Sequence, residues 1–95
     1  MATLLDESAF REALATLDGW TGDRTAISRS VHIGGIAEMD EFLAKLEAIA
    51  REMDHDPVTA VSDGDLTITM STHSAGGVTE LDVAYARRVD ELLAG

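Results

Sequence analysis

Two histidines in the second half of the chain are the side chains best suited to proton-transfer chemistry. His55 lies between Asp54 and Asp56, and His73 is followed by the small residues Ser-Ala-Gly-Gly at 74–77. Imidazole changes its charge near neutral pH, so two imidazoles that meet can remove one proton from a small molecule and donate another. A surface or helix-capping role fits the same histidines, and their spacing alone favours that role.

A long amphipathic helix is expected to position His55. The apolar residues of 36–53 recur at the steps of one helix face, with acidic residues and a lysine on the other face. These apolar residues are Ile36, Met39, Phe42, Leu43, Leu46, Ile49, Ala50 and Met53. The helix should end within 54–57, because the residue before Pro57 is pushed out of the helical region and proline cannot continue the ladder. His55 then lies just beyond the C-terminal end of the helix.

A β-hairpin is expected to position His73. Residues 57–62 and 65–73 have strand patterns and are joined by Asp63-Gly64, a strong signal for a two-residue turn. Alternate residues of a strand point to opposite faces of the sheet. The aliphatic face of the second strand carries Leu66, Ile68 and Met70, and the other face carries Thr67, Thr69, Ser71 and His73. We expect the aliphatic face to pack on the core and the hydroxyl face to be free for a ligand or a second subunit.

The first third of the chain has a helix pattern followed by strand patterns. Apolar spacing predicts a helix over 4–17, with Thr3 or Asp6 as its N-cap. Alternation over 20–33 then predicts two strands joined by a turn at 21–24.

A capping box predicts the start of the last helix. Thr79 and Asp82 have the required spacing of three residues. The predicted element order is therefore α-β-β-α-β-β-α. Strands in hairpins with helices between them indicate an α+β fold, with one antiparallel sheet covered by helices on one face. The length of 95 residues predicts a single domain over 1–95.

The composition restricts the possible partners. Seven basic residues against eighteen acidic ones give a net charge of −11, which disfavours direct binding to nucleic acid phosphates or to an anionic membrane surface. Cysteine is absent, so disulfides, thiolate metal sites and a cysteine nucleophile are excluded. No apolar run approaches the roughly 18 residues of a membrane span, and the N-terminus lacks the pattern of a signal peptide. We therefore expect a soluble, cytoplasmic protein.

The motifs around the two histidines resemble those of the pterin-4a-carbinolamine dehydratase family, the 4a-hydroxytetrahydrobiopterin dehydratases. The resemblance rests on Asp54-His55 with Pro57 two places later, on residues 71–77 (Ser-Thr-His-Ser-Ala-Gly-Gly), and on Thr79-Glu80 with Asp82. It implies a four-stranded antiparallel sheet backed by three helices, assembled as a homodimer or homotetramer. It also implies dehydration of 4a-hydroxytetrahydropterin to quinonoid dihydropterin. The pterin is the substrate, and neither a metal nor a cofactor is implied.

The resemblance assigns roles to particular residues. His55 matches the first histidine of the family's His-His-Pro motif, His73 the later catalytic histidine, and Asp82 the acidic residue that follows it. Asp56 stands where the family has the second motif histidine, so the motif is degenerate here. The residues implied to be catalytic are His55, His73 and Asp56. The residues implied to bind substrate are Asp54, Pro57, Ser71, Thr72 and Asp82.

Departures from the family pattern leave alternatives open. Besides Asp56, Arg51 replaces the family's acidic residue four places before His55, and 58–66 lacks the expected aromatic. We expect Arg51 to pair with Asp54 or Asp56. These changes would weaken or abolish hydro-lyase activity, and two alternatives are a relative acting on another small cyclic substrate and a non-catalytic dimeric scaffold or assembly factor.

Two further interpretations concern a possible metal site and the third histidine, His32. A metal site could draw on Asp54, His55, Asp56 and His73, whose side-chain types are suitable ligands. Adjacent residues of an extended chain point to opposite sides, so we predict no metal site. His32, on the polar face of an early strand, is interpreted as a structural residue.

Overall fold

Helices cover one face of an antiparallel sheet in the computed structural model, which describes residues 2–95. The elements in chain order are α1 (Glu7–Ala15), β1 (Thr21–Asp23), β2 (Ala26–His32), α2 (Ile36–Met53), β3 (Val58–Ser62), β4 (Asp65–Met70), a 3₁₀ turn (His73–Ala75) and α3 (Glu80–Ala94). The strands form one four-stranded sheet in the order β1-β2-β4-β3 with antiparallel neighbours. The predicted α+β class and α-β-β-α-β-β-α order are confirmed. No helix within residues 2–95 is long and apolar enough to cross a membrane.

The core lies between the helices and the aliphatic face of β4. Leu66, Ile68 and Met70 are completely buried, as predicted, while the threonines that alternate with them are only half-buried. Asp63 and Gly64 both have positive φ, 51° and 80°, which is the type I′ geometry expected of a two-residue Asp-Gly turn. The hairpin turn therefore fixes the register in which β4 presents its aliphatic residues to the helices.

The first helix is shorter than predicted. It begins at Glu7, and Asp6 is its N-cap, accepting a hydrogen bond from the Ala9 amide at 2.8 Å. Leu4, which the apolar spacing placed within the helix, instead forms an isolated antiparallel bridge with Thr79. The residues before the helix are thus held in an extended conformation by the segment that leads into α3, a long-range pairing that helix periodicity does not reveal.

The predicted turn at 21–24 is wrong, because Thr21–Asp23 is β1 and the turn consists of the next two residues, Arg24 and Thr25. Gly22 is required by the strand: its φ is 141°, and a Cβ there would lie 2.2 Å from the Ala26 carbonyl oxygen. A glycine that looks like a turn residue in the sequence therefore permits close pairing of two strands.

The strand that was predicted to reach His73 ends at Met70. The Thr72 amide donates to the Gly77 carbonyl at 2.8 Å, so the chain pairs within its own loop after β4. Between these residues His73–Ala75 forms the 3₁₀ turn, which closes at Gly76 with φ 81°. His73 consequently begins a turn and does not continue the hydroxyl row of the sheet.

Candidate active site

The end of α2 positions His55. Asp54 adopts the left-handed conformation, with φ 52° and ψ 47°. The His55 amide donates to the Ala50 carbonyl at 3.0 Å and the Asp54 amide to that of Arg51 at 3.3 Å, the two bonds of a Schellman motif. The predicted end at Met53 is confirmed, but this motif terminates the helix three residues before Pro57 is reached. It turns the chain so that His55 is directed towards α3.

His55 forms a hydrogen-bonded pair with Asp82. The His55 Nε2 and the Asp82 Oδ1 are 2.6 Å apart, and the two side chains are 11% and 0% exposed. A carboxylate can only accept, so Nε2 must carry the proton, and in neutral imidazole the other nitrogen, Nδ1, is then a lone-pair acceptor. Nδ1 has no hydrogen-bond partner within residues 2–95, and no side-chain nitrogen or oxygen that is fully buried there lacks one. Nδ1 of His55 therefore reaches the surface as a hydrogen-bond acceptor.

Asp82 has two structural tasks. It is the third residue of α3, and its Oδ2 accepts the Thr79 amide at 2.8 Å, completing the predicted capping box. The same Oδ2 accepts the Thr72 hydroxyl at 2.8 Å. The start of α3 thus fixes the carboxylate that holds His55, so one side chain serves both the helix cap and the contact with His55.

His73 is linked to this pair through its neighbour in the chain. Thr72 is buried and bonded to Asp82, while His73, the next residue, is exposed at the start of the 3₁₀ turn. Two side-chain contacts and one peptide bond therefore connect His55 to His73. The structure brings His55, Asp82 and Thr72 together and leaves His73 exposed, next to Thr72 in the chain.

The remaining predicted site residues lie around this centre in different settings. Ser71 donates its hydroxyl to the Thr25 carbonyl at 2.7 Å and so fastens the end of β4 to the β1–β2 turn. Asp54 and Asp56 are exposed, and Pro57 is half-buried. Asp56 and Pro57 line an open groove between α2 and β3 with a volume of about 450 Å³. The other lining residues are Leu43, Leu46, Glu47, Ala50 and Thr59.

Asp56 is electrostatically coupled to a buried phenol. Tyr85 is completely buried and donates its hydroxyl to the Leu46 carbonyl at 2.9 Å. Burial, and secondly the negative charge of Asp56, raise the pKa of Tyr85 to about 12. Asp56 thus lines the open groove between α2 and β3, whereas the preceding residue His55 is directed to Asp82.

Two other polar residues have partners outside this centre. Arg51 bonds Glu47 at 2.6 Å, one turn earlier on the same face of α2, so the expected pairing with Asp54 or Asp56 is wrong. Helical i, i+4 neighbours lie side by side, whereas Asp54 has already left the helix. His32 pairs with Asp65 across β2 and β4 at 2.7 Å, far along the strands from the Asp82 centre, as a structural residue would. Within residues 2–95, no three acidic or histidine side chains are grouped as they would be around a metal ion.

Thr79 and Tyr85 were not among the candidate site residues. Thr79 is completely buried, and its hydroxyl lies 2.7 Å from that of Thr72. The capping-box spacing signalled Thr79 as a helix cap but not as a partner of Thr72. The signal for Tyr85 was weaker still, since one aromatic on an apolar helix face normally indicates core packing.

Comparison with known proteins identifies one family over most of the chain. The family described as Pterin 4 alpha carbinolamine dehydratase matches residues 3–92. A protein of Sulfolobus acidocaldarius is 33% identical over 88 residues, covering 93% of this chain and 97% of its own length. A protein of Streptomyces avermitilis is 37% identical over 92 residues, covering 96% and 91%. Both carry the name "Putative pterin-4-alpha-carbinolamine dehydratase".

A solved structure gives the same result. The crystal structure described as a transcriptional coactivator/pterin dehydratase from Brucella melitensis superposes with a TM-score of 0.85 at 37% identity. The match covers 92% of this chain and 95% of that one. Sequence and fold therefore agree over nearly the whole chain, and the protein belongs to the pterin-4a-carbinolamine dehydratase family of hydro-lyases.

Proposed function

We propose that the protein dehydrates 4a-hydroxytetrahydropterin to quinonoid dihydropterin, with Nδ1 of His55 as the base. The observation that carries this proposal is the 2.6 Å contact between His55 Nε2 and the buried Asp82. That contact keeps the proton on Nε2 and leaves Nδ1 free to accept one at the surface. Membership of the dehydratase family supports the choice of substrate.

The reaction needs one proton removed and one supplied. Nδ1 of His55 accepts the proton of the pterin ring nitrogen next to the hydroxylated carbon. The electron pair of that N–H bond forms the new carbon–nitrogen double bond, and the carbon–oxygen bond breaks as the hydroxyl leaves. A general acid protonates the departing hydroxyl, so that the products are quinonoid dihydropterin and one water molecule. Asp82 stabilises the imidazolium that forms on His55.

His73 supplies the proton to the leaving hydroxyl in this proposal. His73 is exposed and directly follows Thr72, whose hydroxyl contacts Asp82, and the proposal requires its imidazole to reach the same bound pterin. A carboxylic acid is largely ionised at neutral pH in water, so a carboxylate at position 56 is a poorer donor than imidazole. We assign Asp56 a different role, as an acceptor for N–H groups of the pterin.

Variants of the three histidines test the proposal, because each has a different environment. Breakdown of freshly generated 4a-hydroxytetrahydropterin is followed by stopped flow with the wild type, His55→Ala, His73→Ala and His32→Ala. Each acid or base should contribute on the order of a hundred-fold or more to the rate. His32→Ala is the matched control, since His32 pairs only with Asp65 at the other end of the hairpin. Equal rates for His55→Ala and His32→Ala would refute the role of His55.

The position of Asp56 favours one alternative function. A carboxylate in place of the second motif histidine changes the hydrogen-bonding character of the surface next to His55, which suits a different small cyclic substrate. Tight binding of a pterin analogue by wild type without turnover of the hydroxylated pterin would favour this alternative. Gain of activity in Asp56→His would instead show that the pterin reaction is retained in weakened form.

We also propose that two copies of the chain associate through β3 and the beginning of α2. β3 is an edge strand, and its Val58 and Val61 are 71% and 52% exposed. Ile36, at the start of α2, is 84% exposed, beside an apolar pocket of about 250 Å³ that Val61 also lines. A free edge with exposed valines is a template for pairing with another strand, and a second copy offers the same apolar surface.

Sedimentation velocity tests the association. The wild type should sediment as a dimer or a larger assembly, and Val61→Lys should shift it to the monomer, because a lysine on the edge opposes both strand pairing and apolar contact. Glu12→Lys, on the exposed part of α1, makes a charge change that is larger and should leave the assembly intact. A wild type that is monomeric at every concentration would overturn the proposal.

A further inference from the structure

A buried chain of hydroxyl groups lies behind the His55–Asp82 pair. The Thr72 hydroxyl is 2.8 Å from Asp82 Oδ2 and 2.7 Å from the Thr79 hydroxyl. Thr72 is 5% exposed and Thr79 is 0% exposed, so bulk water does not compete for these groups. The Thr79 oxygen also accepts the Leu81 amide at 3.2 Å.

The hydrogen bonds of this chain can run in only one direction. Each threonine hydroxyl has one proton, and the carboxylate of Asp82 can only accept. Thr72 therefore donates to Asp82, and Thr79 must supply the proton in the contact between the two threonines. Every donor in the cluster consequently points towards Asp82, from Thr79 through Thr72 on one side and from His55 on the other. Aligned hydrogen bonds in a water-free interior polarise and strengthen one another.

The two oxygens of Asp82 are used differently because of this arrangement. Oδ2 accepts both the Thr72 hydroxyl and the Thr79 amide, while Oδ1 accepts only from His55. Rotation of the carboxylate would break both bonds at Oδ2 and leave buried donors without an acceptor, which is costly. The hydroxyl pair therefore fixes the plane of the carboxylate and the direction in which Oδ1 faces the imidazole.

We infer that Thr72 and Thr79 are positioning residues for the base, which act through Asp82 to hold the proton on Nε2 of His55. Thr72 does not bind the substrate itself, because its hydroxyl is buried and both of its hydrogen bonds are used within the protein. The catalytic consequence of this inference rests on the proposed dehydration. Its structural part, the control of the His55 proton, does not.

Substitutions at Thr72 distinguish the effect of its hydroxyl group from the effect of its side-chain shape. Thr72→Val keeps the branched shape and removes the hydroxyl, whereas Thr72→Ser keeps the hydroxyl. Thr69→Val is the matched control, because Thr69 lies on the opposite face of β4 from the buried aliphatic residues. If Thr72→Val is too unstable for spectroscopy, Thr72→Ala removes the same hydroxyl with less steric demand.

The first measurement is the proton resonance of His55 Nε2–H in the free protein, which needs no substrate. A proton shared with a carboxylate at 2.6 Å resonates far downfield and exchanges slowly, and its absence in His55→Ala assigns it. We expect Thr72→Val to move this resonance and speed its exchange, and Thr72→Ser and Thr69→Val to leave it in place. An unchanged resonance in Thr72→Val would overturn the inference.

The second measurement is the rate of pterin dehydration. Thr72→Val should lower kcat about ten-fold with little change in KM, since it weakens the alignment of a base whose whole contribution is on the order of a hundred-fold or more. Thr72→Ser should keep kcat close to the wild-type value, because it retains the hydroxyl. A rise in KM at constant kcat would overturn the inference by showing that Thr72 binds substrate. If the wild type has no dehydratase activity while the resonance still responds to Thr72→Val, the proposed function fails and the positioning of His55 stands.

Discussion

Replacement of Asp82 by asparagine separates the role of this side chain as a helix cap from its role as the hydrogen-bond partner of His55. Asparagine has nearly the same shape but one acceptor oxygen and one NH₂ donor. If its oxygen takes the place of Oδ2, it keeps the Thr72 hydroxyl and the Thr79 amide as donors. Its NH₂ group then faces His55 Nε2, which must become an acceptor. The imidazole proton is thereby moved to Nδ1, the atom that the mechanism requires as a base.

The expected loss of stability follows from the three hydrogen bonds that Asp82 accepts, from His55, Thr72 and Thr79. Bonds to a charged group contribute about 1.5–3 kcal/mol each and neutral bonds about 0.5–1.5 kcal/mol. Three such changes lower the free energy of unfolding by about 3 kcal/mol. A domain with about 5–15 kcal/mol of stability remains folded after such a loss.

The expected loss of activity is larger. With the proton on Nδ1, His55 cannot accept one from the substrate, and general base catalysis contributes on the order of a hundred- to ten-thousand-fold. Stopped-flow dehydration measures the rate. Urea unfolding measures the stability, and Trp20, the single tryptophan and a buried one, reports it by fluorescence.

Asp90→Asn is the matched control for Asp82→Asn. Asp90 is also on α3, and it also accepts three hydrogen bonds, from the Asp18 amide, the Trp20 indole and the Arg29 guanidinium. It has no contact with His55, so it should lose stability to a similar degree and keep its dehydration rate per folded molecule. A wild-type rate in Asp82→Asn, or an equal loss of activity in the two variants, would refute the role of Asp82 in holding the His55 proton on Nε2.

Three further predictions concern Asp54, Asp56 and Tyr85. Asp54→Gly should raise the free energy of unfolding by about 1 kcal/mol in urea titrations. The reason is that the left-handed conformation costs a residue with a Cβ roughly 1–2 kcal/mol. A fall in the free energy of unfolding would show that the Asp54 carboxylate makes a contact that outweighs the strain. Tyr85, the single tyrosine, should ionise in the folded protein with a pKa of about 12, and Asp56→Asn should lower that pKa, as followed by phenolate absorbance. An unchanged midpoint would contradict the coupling between Asp56 and Tyr85. Because this pKa is raised above the ordinary value of about 10, the stability contributed by the phenol is complete below pH about 10 and is lost as the pH rises through about 12. Tyr85→Phe should therefore show less alkaline loss of stability than the wild type.

The elements with strong local signals were predictable. The bounds of α2 follow from its apolar stripe, and the hairpin follows from Asp63-Gly64, which needs positive φ at both residues. The capping box of α3 follows from the spacing of Thr79 and Asp82. In each case the residues that determine the structure are close together in the sequence, so a single sequence contains the information.

Elements determined by distant pairing were not predictable in the same way. Leu4 left the expected helix because it pairs with Thr79, and Gly22 proved to be a strand residue because β2 approaches it closely. Neither interaction leaves a periodic pattern in the sequence. The same limitation explains why the sequence pattern predicts a strand up to His73, whereas β4 ends at Met70. The Thr72–Gly77 pairing that ends the alternation forms only in the folded loop.

The arrangement of the candidate site residues was not predictable from the sequence. His55, Thr72 and Asp82 were named from the family resemblance, and the structure shows them bonded to one another. Which nitrogen of His55 meets the carboxylate depends on the direction in which the chain leaves α2. That direction is set by the left-handed conformation of Asp54. Aspartate tolerates this conformation, but an aspartate in the sequence does not predict it.

The most direct test of the account is the rate at which freshly generated 4a-hydroxytetrahydropterin breaks down with wild-type protein, with His55→Ala and with no protein. The wild type should accelerate the dehydration, and His55→Ala should lose on the order of a hundred-fold of that acceleration or more. A wild-type rate equal to the uncatalysed rate, or a His55→Ala rate equal to that of the wild type, would contradict it.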